Sequence, residues 1–271
     1  PARPVREAAL PLSGARTVVV DGERGYVATC CSPRRLFVLD LSRPVEPVVV
    51  GELAGFGDSM AARDGTVYAA GSEAVRVIDA RDPRHPRLAY DIPIEGCRAA
   101  YPYTACVIDL AVDRGHLYVA TTSPDAIHVL RLGSGEARLQ CKIALPSQPL
   151  GVAVAGPLAF VSIMDDTVER PDDGLLVFDV SSPSSPREIF RDTTPDRAWD
   201  VAAIGDRAYL VHSDLEDGAV RSYVVRHAPV RVELVDEVAV PGRAQRLAVS
   251  GGNVFVAAGE CGMLALQHSR E

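Results

Sequence analysis

Lysine is almost missing from this chain of 271 residues: Lys142 is the only one among 28 basic residues. GC-rich coding explains the arginine bias more simply than arginine-specific recognition does. No run of 18 apolar residues exists, so no segment reads as a transmembrane helix. The basic residues are outnumbered by 36 acidic ones, and the resulting net charge of −8 disfavours generic binding to nucleic acid or anionic lipid. G-x-S-x-G, G-x-G-x-x-G and G-x-x-x-x-G-K-[ST] are all absent, which removes support for hydrolase elbows and phosphate loops. The six histidines, at 85, 116, 128, 212, 227 and 268, never pair at metal-ligand spacing, and no C-x-x-C accompanies the cysteines, so a zinc site is disfavoured. The chain begins at Pro1 rather than Met, which agrees with removal of a preceding segment, a signal peptide being one candidate.

What the chain has is repetition. Leu36-Phe-Val-Leu-Asp40 runs into Pro44 and Pro47, Val75-Arg-Val-Ile-Asp79 into Pro83 and Pro86, and Leu175-Leu-Val-Phe-Asp179 into Pro183 and Pro186. About ten residues before each strand end lies an aromatic-led strand, in six copies: Tyr26-Val-Ala, Tyr68-Ala-Ala, Tyr118-Val-Ala, Phe160-Val-Ser, Tyr209-Leu-Val and Phe255-Val-Ala. A turn such as Asp64-Gly65 or Arg114-Gly115 precedes it, and a run of small apolar residues precedes the turn. Small side chains suit strands that converge on one axis. With a last strand after each P-x-x-P, every unit holds four short strands, the pattern of a propeller blade, and units that cannot bury their faces alone must stack.

The expected fold is therefore all-β, a six-bladed β-propeller of four-stranded antiparallel blades in one domain, 1–271. Its blades fall at about 15–51, 57–94, 106–145, 149–190, 198–240 and 244–271, the last completed by 1–12. That final assignment follows because the sixth copy stops without an outer strand while Pro1-Ala-Arg-Pro4 is itself a P-x-x-P leading into Val5 to Leu12. The N-terminal strand would close the last blade and leave only short sheet edges.

The strand-Asp, P-x-x-P and aromatic-Val-Ala elements resemble those of the LVIVD-repeat β-propellers over essentially the whole chain, well in copies one, two and four and partly in the others. The resemblance implies a propeller of a kind common among exported bacterial and archaeal proteins. It brings no catalytic motif with it.

Six cysteines, at 30, 31, 97, 106, 141 and 261, permit disulfides and point to an extracellular, periplasmic or cell-surface location. Cys97 and Cys106 bracket an insertion between blades two and three, and a bridge there would staple it. Cys261 occupies nearly the same hairpin position in blade six as Cys30 and Cys31 in blade one. Cys31–Cys261 is thus a candidate bridge, with ordinary turn thiols or a vicinal Cys30–Cys31 pair as the alternatives.

Propeller topology sends the second hairpin of each blade and the connections between blades to one face, and the irregular residues collect there. Aligned on the aromatic strands, Thr17, Ser59, Asp109, Gly151, Asp200 and Arg246 share one position near the channel mouth. Two carboxylates and an arginine there suit either a polar ligand or cation, or plain hydration of the channel. Asp109, Asp200, Arg246 and His212 are the catalytic candidates, with His212 as general base or as a hydrogen-bonded structural histidine. Asp58, Ser59, Tyr101, Tyr103 and Trp199 are the ligand-binding candidates, Trp199 serving either as a platform or as inter-blade packing. Asp165, Asp166, Asp214 and Asp217 are candidate Ca²⁺ ligands, although Asp173-Gly174 and Asp217-Gly218 are also what tight turns use. Two functional classes remain: a binding module for a protein, peptide, glycan or small molecule, or an enzyme (hydrolase, lyase or isomerase) working at the channel mouth, with a divalent metal as an option.

Overall fold

The computed structural model describes residues 10–29, 33–43, 45–55, 59–98, 105–165, 172–214, 216–227, 229–250 and 252–267. Six antiparallel sheets follow one another along the chain. The first holds β1 (Ala15–Asp21), β2 (Arg24–Thr29), β3 (Arg35–Asp40) and β4 (Val48–Ala54), and the second β5 (Met60–Arg63), β6 (Thr66–Ala70), β7 (Ala74–Asp79) and β8 (Arg87–Pro93). The third holds β9 (Val107–Asp113), β10 (His116–Thr121), β11 (Ala126–Leu132) and β12 (Ala137–Ala144), and the fourth β13 (Gln148–Ala155), β14 (Leu158–Met164), β15 (Gly174–Asp179) and β16 (Arg187–Thr193). The fifth holds β17 (Arg197–Ile204), β18 (Arg207–Ser213), β19 (Asp217–His227) and β20 (Val230–Pro241), and the sixth β21 (Arg246–Ser250), β22 (Asn253–Ala257) and β23 (Met263–Gln267).

The fold is an all-β, six-bladed β-propeller, each sheet being a blade whose strands are hydrogen-bonded in sequence order. The sixth blade shows three strands among the described residues. Of the N-terminal strand expected to complete it, residues 1–9 lie outside the described residues and 10–12 are not in a strand. The sole helical element described is a 3-10 turn at Gly259–Cys261, so no helix among the described residues is long and apolar enough to cross a membrane. The chain divides into two compact units, one built on blades one to three and the other on blades four to six, with the boundary running through β11 and β12.

In both units the second strand of the blade is the most deeply buried element. Tyr26, Tyr118, Phe160 and Tyr209 are all 3% exposed or less, because these strands are covered on both faces. In the first unit Tyr26, Leu36 and Val38 of blade one pack on Met60, Val67 and Ile78 of blade two. Blade two in turn packs Val75, Val77 and Ile92 on Leu110, Leu117 and Val119 of blade three. In the second unit Phe160, Leu175 and Val177 meet Ala198, Leu210 and Tyr223. Each fully buried Leu or Phe of this kind contributes roughly 1.5–3 kcal/mol. The fourth strands are largely exposed, as an outer edge should be.

Local chemistry fixes the turns. Asp64 and Gly65 have φ of 52° and 72°, and Arg114 and Gly115 of 46° and 74°, the paired positive values of a type I′ hairpin. The repeated Asp closes the third strand: Asp40, Asp79 and Asp179 accept the backbone N–H two residues on, from Ser42 (2.9 Å), Arg81 (3.2 Å) and Ser181 (2.9 Å). Arg87 and Arg187 at the start of the fourth strands reach back to Asp79 (3.2 Å) and Asp179 (3.1 Å). These donors hold the carboxyls below the usual range, Asp40 and Asp179 mainly through Ser42 and Ser181 and Asp79 mainly through the Arg81 guanidinium. The P-x-x-P turn has a docking site: a Cβ on Gly51 of β4 would lie 2.1 Å from the carbonyl oxygen of Pro83 in the next blade.

Cys97 and Cys106 form the expected disulfide, with Cα atoms 5.7 Å apart. Cys261 is an exposed free thiol, and Cys30 and Cys31, its expected partners, lie outside the described residues.

Two outcomes follow for urea unfolding. Gly51→Ala loses about 1–3 kcal/mol, the usual cost of overpacking, because the atom in the way is a backbone carbonyl rather than the end of a flexible side chain, and β4 cannot shift without breaking its ladder with β3. Replacing Cys97 and Cys106 by Ser loses about 2–3 kcal/mol, the loop-closure contribution of a short loop, and removes the part of the midpoint's reductant sensitivity that comes from this bridge.

Candidate functional site

The aligned positions are equivalent in the ladders. Thr17, Asp109, Gly151, Asp200 and Arg246 pair with Ala28, Ala120, Ser162, Val211 and Ala257, the third residues of the aromatic-led strands, and the Ser59 carbonyl accepts the N–H of Ala70 in the same way. Within each unit these residues bind one another. In the first, the Ser59 hydroxyl donates to Asp109 Oδ1 at 2.5 Å, tying β5 to β9. In the second, Asp200 Oδ1 accepts the Val201 N–H and Oδ2 accepts the Leu247 N–H, both at 3.0 Å, so its carboxylate bridges β17 and β21. Gly151 completes the arrangement. A Cβ there would stand 2.8 Å from Asp200 Oδ1 and 3.0 Å from the Ser162 hydroxyl, so a larger residue would displace the carboxylate from this position. Arg246, 60% exposed, reaches Asp200 at 3.7 Å.

His212 is not part of that group. It is 3% exposed in β18, on the face of blade five turned toward blade four, with Nδ1 3.7 Å from Asp196 Oδ2 and Nε2 3.9 Å from Glu237 Oε2. Neither nitrogen makes a hydrogen bond. Its neighbour Arg221 donates to Glu237, to Asp192 Oδ2 at 2.9 Å and to the Thr193 carbonyl at 2.6 Å, while the Tyr223 hydroxyl donates to Asp192 at 2.7 Å. Burial and then the Arg221 charge push the His212 pKa below its ordinary value, against the pull of Glu237 and Asp196. Burial also pushes the Tyr223 phenol far up. The charged set was missed in the sequence because its members come from four strands of two blades. Its one signal was Arg221, a charge in the middle of a third strand.

The acidic hairpins do turn work. The Asp214 carboxylate accepts the N–H groups of Glu216 (2.7 Å) and Asp217 (2.9 Å), and Asp173 accepts the N–H of Asp165. Among the described residues no three His, Cys, Asp or Glu side chains come together in a metal-holding group. Asp166, Asp58, Tyr101 and Tyr103 lie outside the described residues.

Trp199 sits at the bulge between Ala198 and Asp200, half-buried against the cluster that contains Val211, Val220, Val240 and Val256, and its indole N–H donates to the Ser213 carbonyl at 3.2 Å. The guanidinium carbons of Arg197 and Arg243 lie 5.9 and 5.2 Å from its ring centre. The first unit also holds a cleft of about 390 Å³ beside β8, lined by Tyr90, Ile92, Ile94, His128, Leu130 and Glu136. Nothing in the loops pointed to it; the signal was His128, 1% exposed in a third strand.

With this geometry the comparisons with known proteins are informative. The LVIVD repeat family model matches residues 151–194, from β13 to just past β16, and residues 241–264, from the end of β20 into β23. The chain carries LVIVD repeats. The LVIVD matches include the truncated sixth copy, while the copies at Leu36–Asp40 and Val75–Asp79 fall outside them. No curated protein matches the sequence. Among solved structures, a functionally unknown protein from Desulfotomaculum acetoxidans DSM 771 superposes with a TM-score of 0.71 at 11% identity, covering 92% of this chain and 81% of that one. BamB from Moraxella catarrhalis gives 0.61 at 13% identity, covering 97% and 73%. A Bacteroides fragilis protein proposed to be a 6-phosphogluconolactonase gives 0.73 at 12% identity, covering 93% and 78%. At such identities the likeness is of fold alone.

The lowered His212 pKa sets a pH dependence. The unfolded chain takes up a proton near the ordinary value of 6.5 and the folded chain only at lower pH, so stability falls as pH drops below about 6.5. In His212→Gln this part of the acid-side loss disappears, which paired urea titrations at pH 5 and pH 7.5 would register; an unchanged difference would contradict it.

Proposed function

We propose that this chain is a single-domain β-propeller binding module that works outside the cytoplasm, presenting its loop-bearing blade ends to a protein, peptide or glycan. The supporting observation is the commitment of Asp109 and Asp200. Asp109 takes the Ser59 hydroxyl and Asp200 takes two backbone N–H groups, so the carboxylates best placed for chemistry serve as inter-blade fastenings. A general base at this position would need a carboxylate oriented toward substrate, and His212 faces Asp196 and Glu237 instead of Asp200. The Cys97–Cys106 disulfide supports an oxidising compartment, extracellular, periplasmic or at the cell surface. The binding reading fits the net charge of −8 with a partner other than nucleic acid.

The enzyme reading draws on the fold likeness to the protein proposed to be a 6-phosphogluconolactonase. One experiment separates the two. Peptide and glycan arrays probed with the labelled protein should show saturable retention of one ligand class, lost in the double variant Tyr101→Ala, Tyr103→Ala at unchanged melting temperature. Turnover of 6-phosphogluconolactone above the uncatalysed rate, abolished by Asp109→Asn, would refute the binding-module reading.

A further inference from the structure

We propose that Arg197, Trp199 and Arg243, at the loop ends of blades five and six, form a docking site for an acidic peptide segment of a partner protein. The proposal deepens the binding-module reading and rests on it.

The first observation is charge without compensation. Many arginines meet carboxylates, such as Arg35 with Glu52, Arg63 with Asp113, Arg187 with Asp179, and Arg221 with Asp192 and Glu237. Arg197 and Arg243, like Arg34, Arg131 and Arg231, do not, and of the described residues these two alone share one aromatic ring. Among the described residues neither has a carboxylate within ion-pair distance, although acidic residues outnumber basic ones by 36 to 28. Arg197 follows Asp196 directly, yet the Asp196 carboxylate turns to His212 at 3.7 Å. The Arg197 Nε is buried with no acceptor, and Arg243 faces the neutral Gln245 amide, whose oxygen can accept from Nε at 3.1 Å and from the second terminal nitrogen at 3.2 Å.

The second observation is preorganisation. Both guanidinium groups stand within 6 Å of one indole ring, in cation–π range. The indole cannot turn away, because its N–H is bound to the Ser213 carbonyl and one side packs on the core between blades five and six. Holding two planar donor forks on a fixed ring lowers the entropy lost when they grip carboxylates.

A peptide fits better than a long polyanion. The chain's net charge of −8 repels an extended sulfated glycan as a whole, whereas a short acidic stretch feels chiefly the charges within a Debye length of about 8–10 Å. The half-buried indole, with its N–H already used, has little open ring for a sugar to stack on. Arginine and tryptophan are also the side chains that dominate protein–protein hot spots.

Trp199 is the only tryptophan in the chain, so its emission reports on this site alone. Titration of the full chain with a triglutamate peptide, about a Debye length long when extended, should change that emission saturably, with affinity falling as salt rises. Arg243→Ala and Arg197→Gln should each weaken binding by about tenfold, near 1.4 kcal/mol, at an unchanged melting temperature. No saturable change, or full affinity in both variants, would overturn the proposal, as would binding of a heparin hexasaccharide with the peptide silent. If triglutamate is silent while array ligands are still retained equally by wild type and Arg243→Ala, the acidic-peptide site fails and the binding-module reading stands.

Discussion

Burial of apolar surface between neighbouring blades is the constraint on which everything else here depends. A single blade of four short strands has two faces and no core of its own, so Tyr26, Phe160 or Tyr209 is stable only when another sheet covers it. Once the middle of each layer is dry, the polar groups at its ends must find partners across the layer. They do so in several ways. The Gly65 N–H donates to Asp21, Arg24 donates to the Ala80 carbonyl, Ser59 binds Asp109, Asp200 takes the Leu247 N–H, and Arg221 bridges to Asp192.

That pattern explains what could be read from the sequence and what could not. Strands, hairpins and the aligned position of Thr17, Asp109 and Asp200 were legible because they are set by local chemistry: type I′ turn residues, strand-end Asp and the spacing to an aromatic strand. The use of the aligned carboxylates was not, because it depends on what the next blade offers. Asp200 meets a backbone N–H 47 residues away, and Gly151 is small so that this carboxylate can pass. The acidic hairpins were ambiguous for a related reason. A carboxylate that holds a cation and one that caps its own turn look alike in a sequence, and Asp214 turned out to cap.

His212 and Arg221 show the same principle at a higher electrostatic cost. Charges buried between sheets are held by several partners at once, and here one guanidinium serves Glu237, Asp192 and the Thr193 carbonyl together. The imidazole beside it stays neutral because burial and that positive charge outweigh two carboxylates at nearly 4 Å. The layer between blades four and five is therefore polar at its loop end and apolar below, whereas Trp199 marks the next layer with cations held on a ring.

The turns closed by Asp40, Asp79 and Asp179 lie at the ends of the blades opposite the second hairpins, and each fastens its own blade. This separation bears on how such a chain can evolve. Substitutions, insertions and even a new cysteine pair can accumulate at the hairpin end while the fastenings at the other end go on specifying the same sheet. A scaffold so divided can change its hairpin ends without losing the turns that specify each blade.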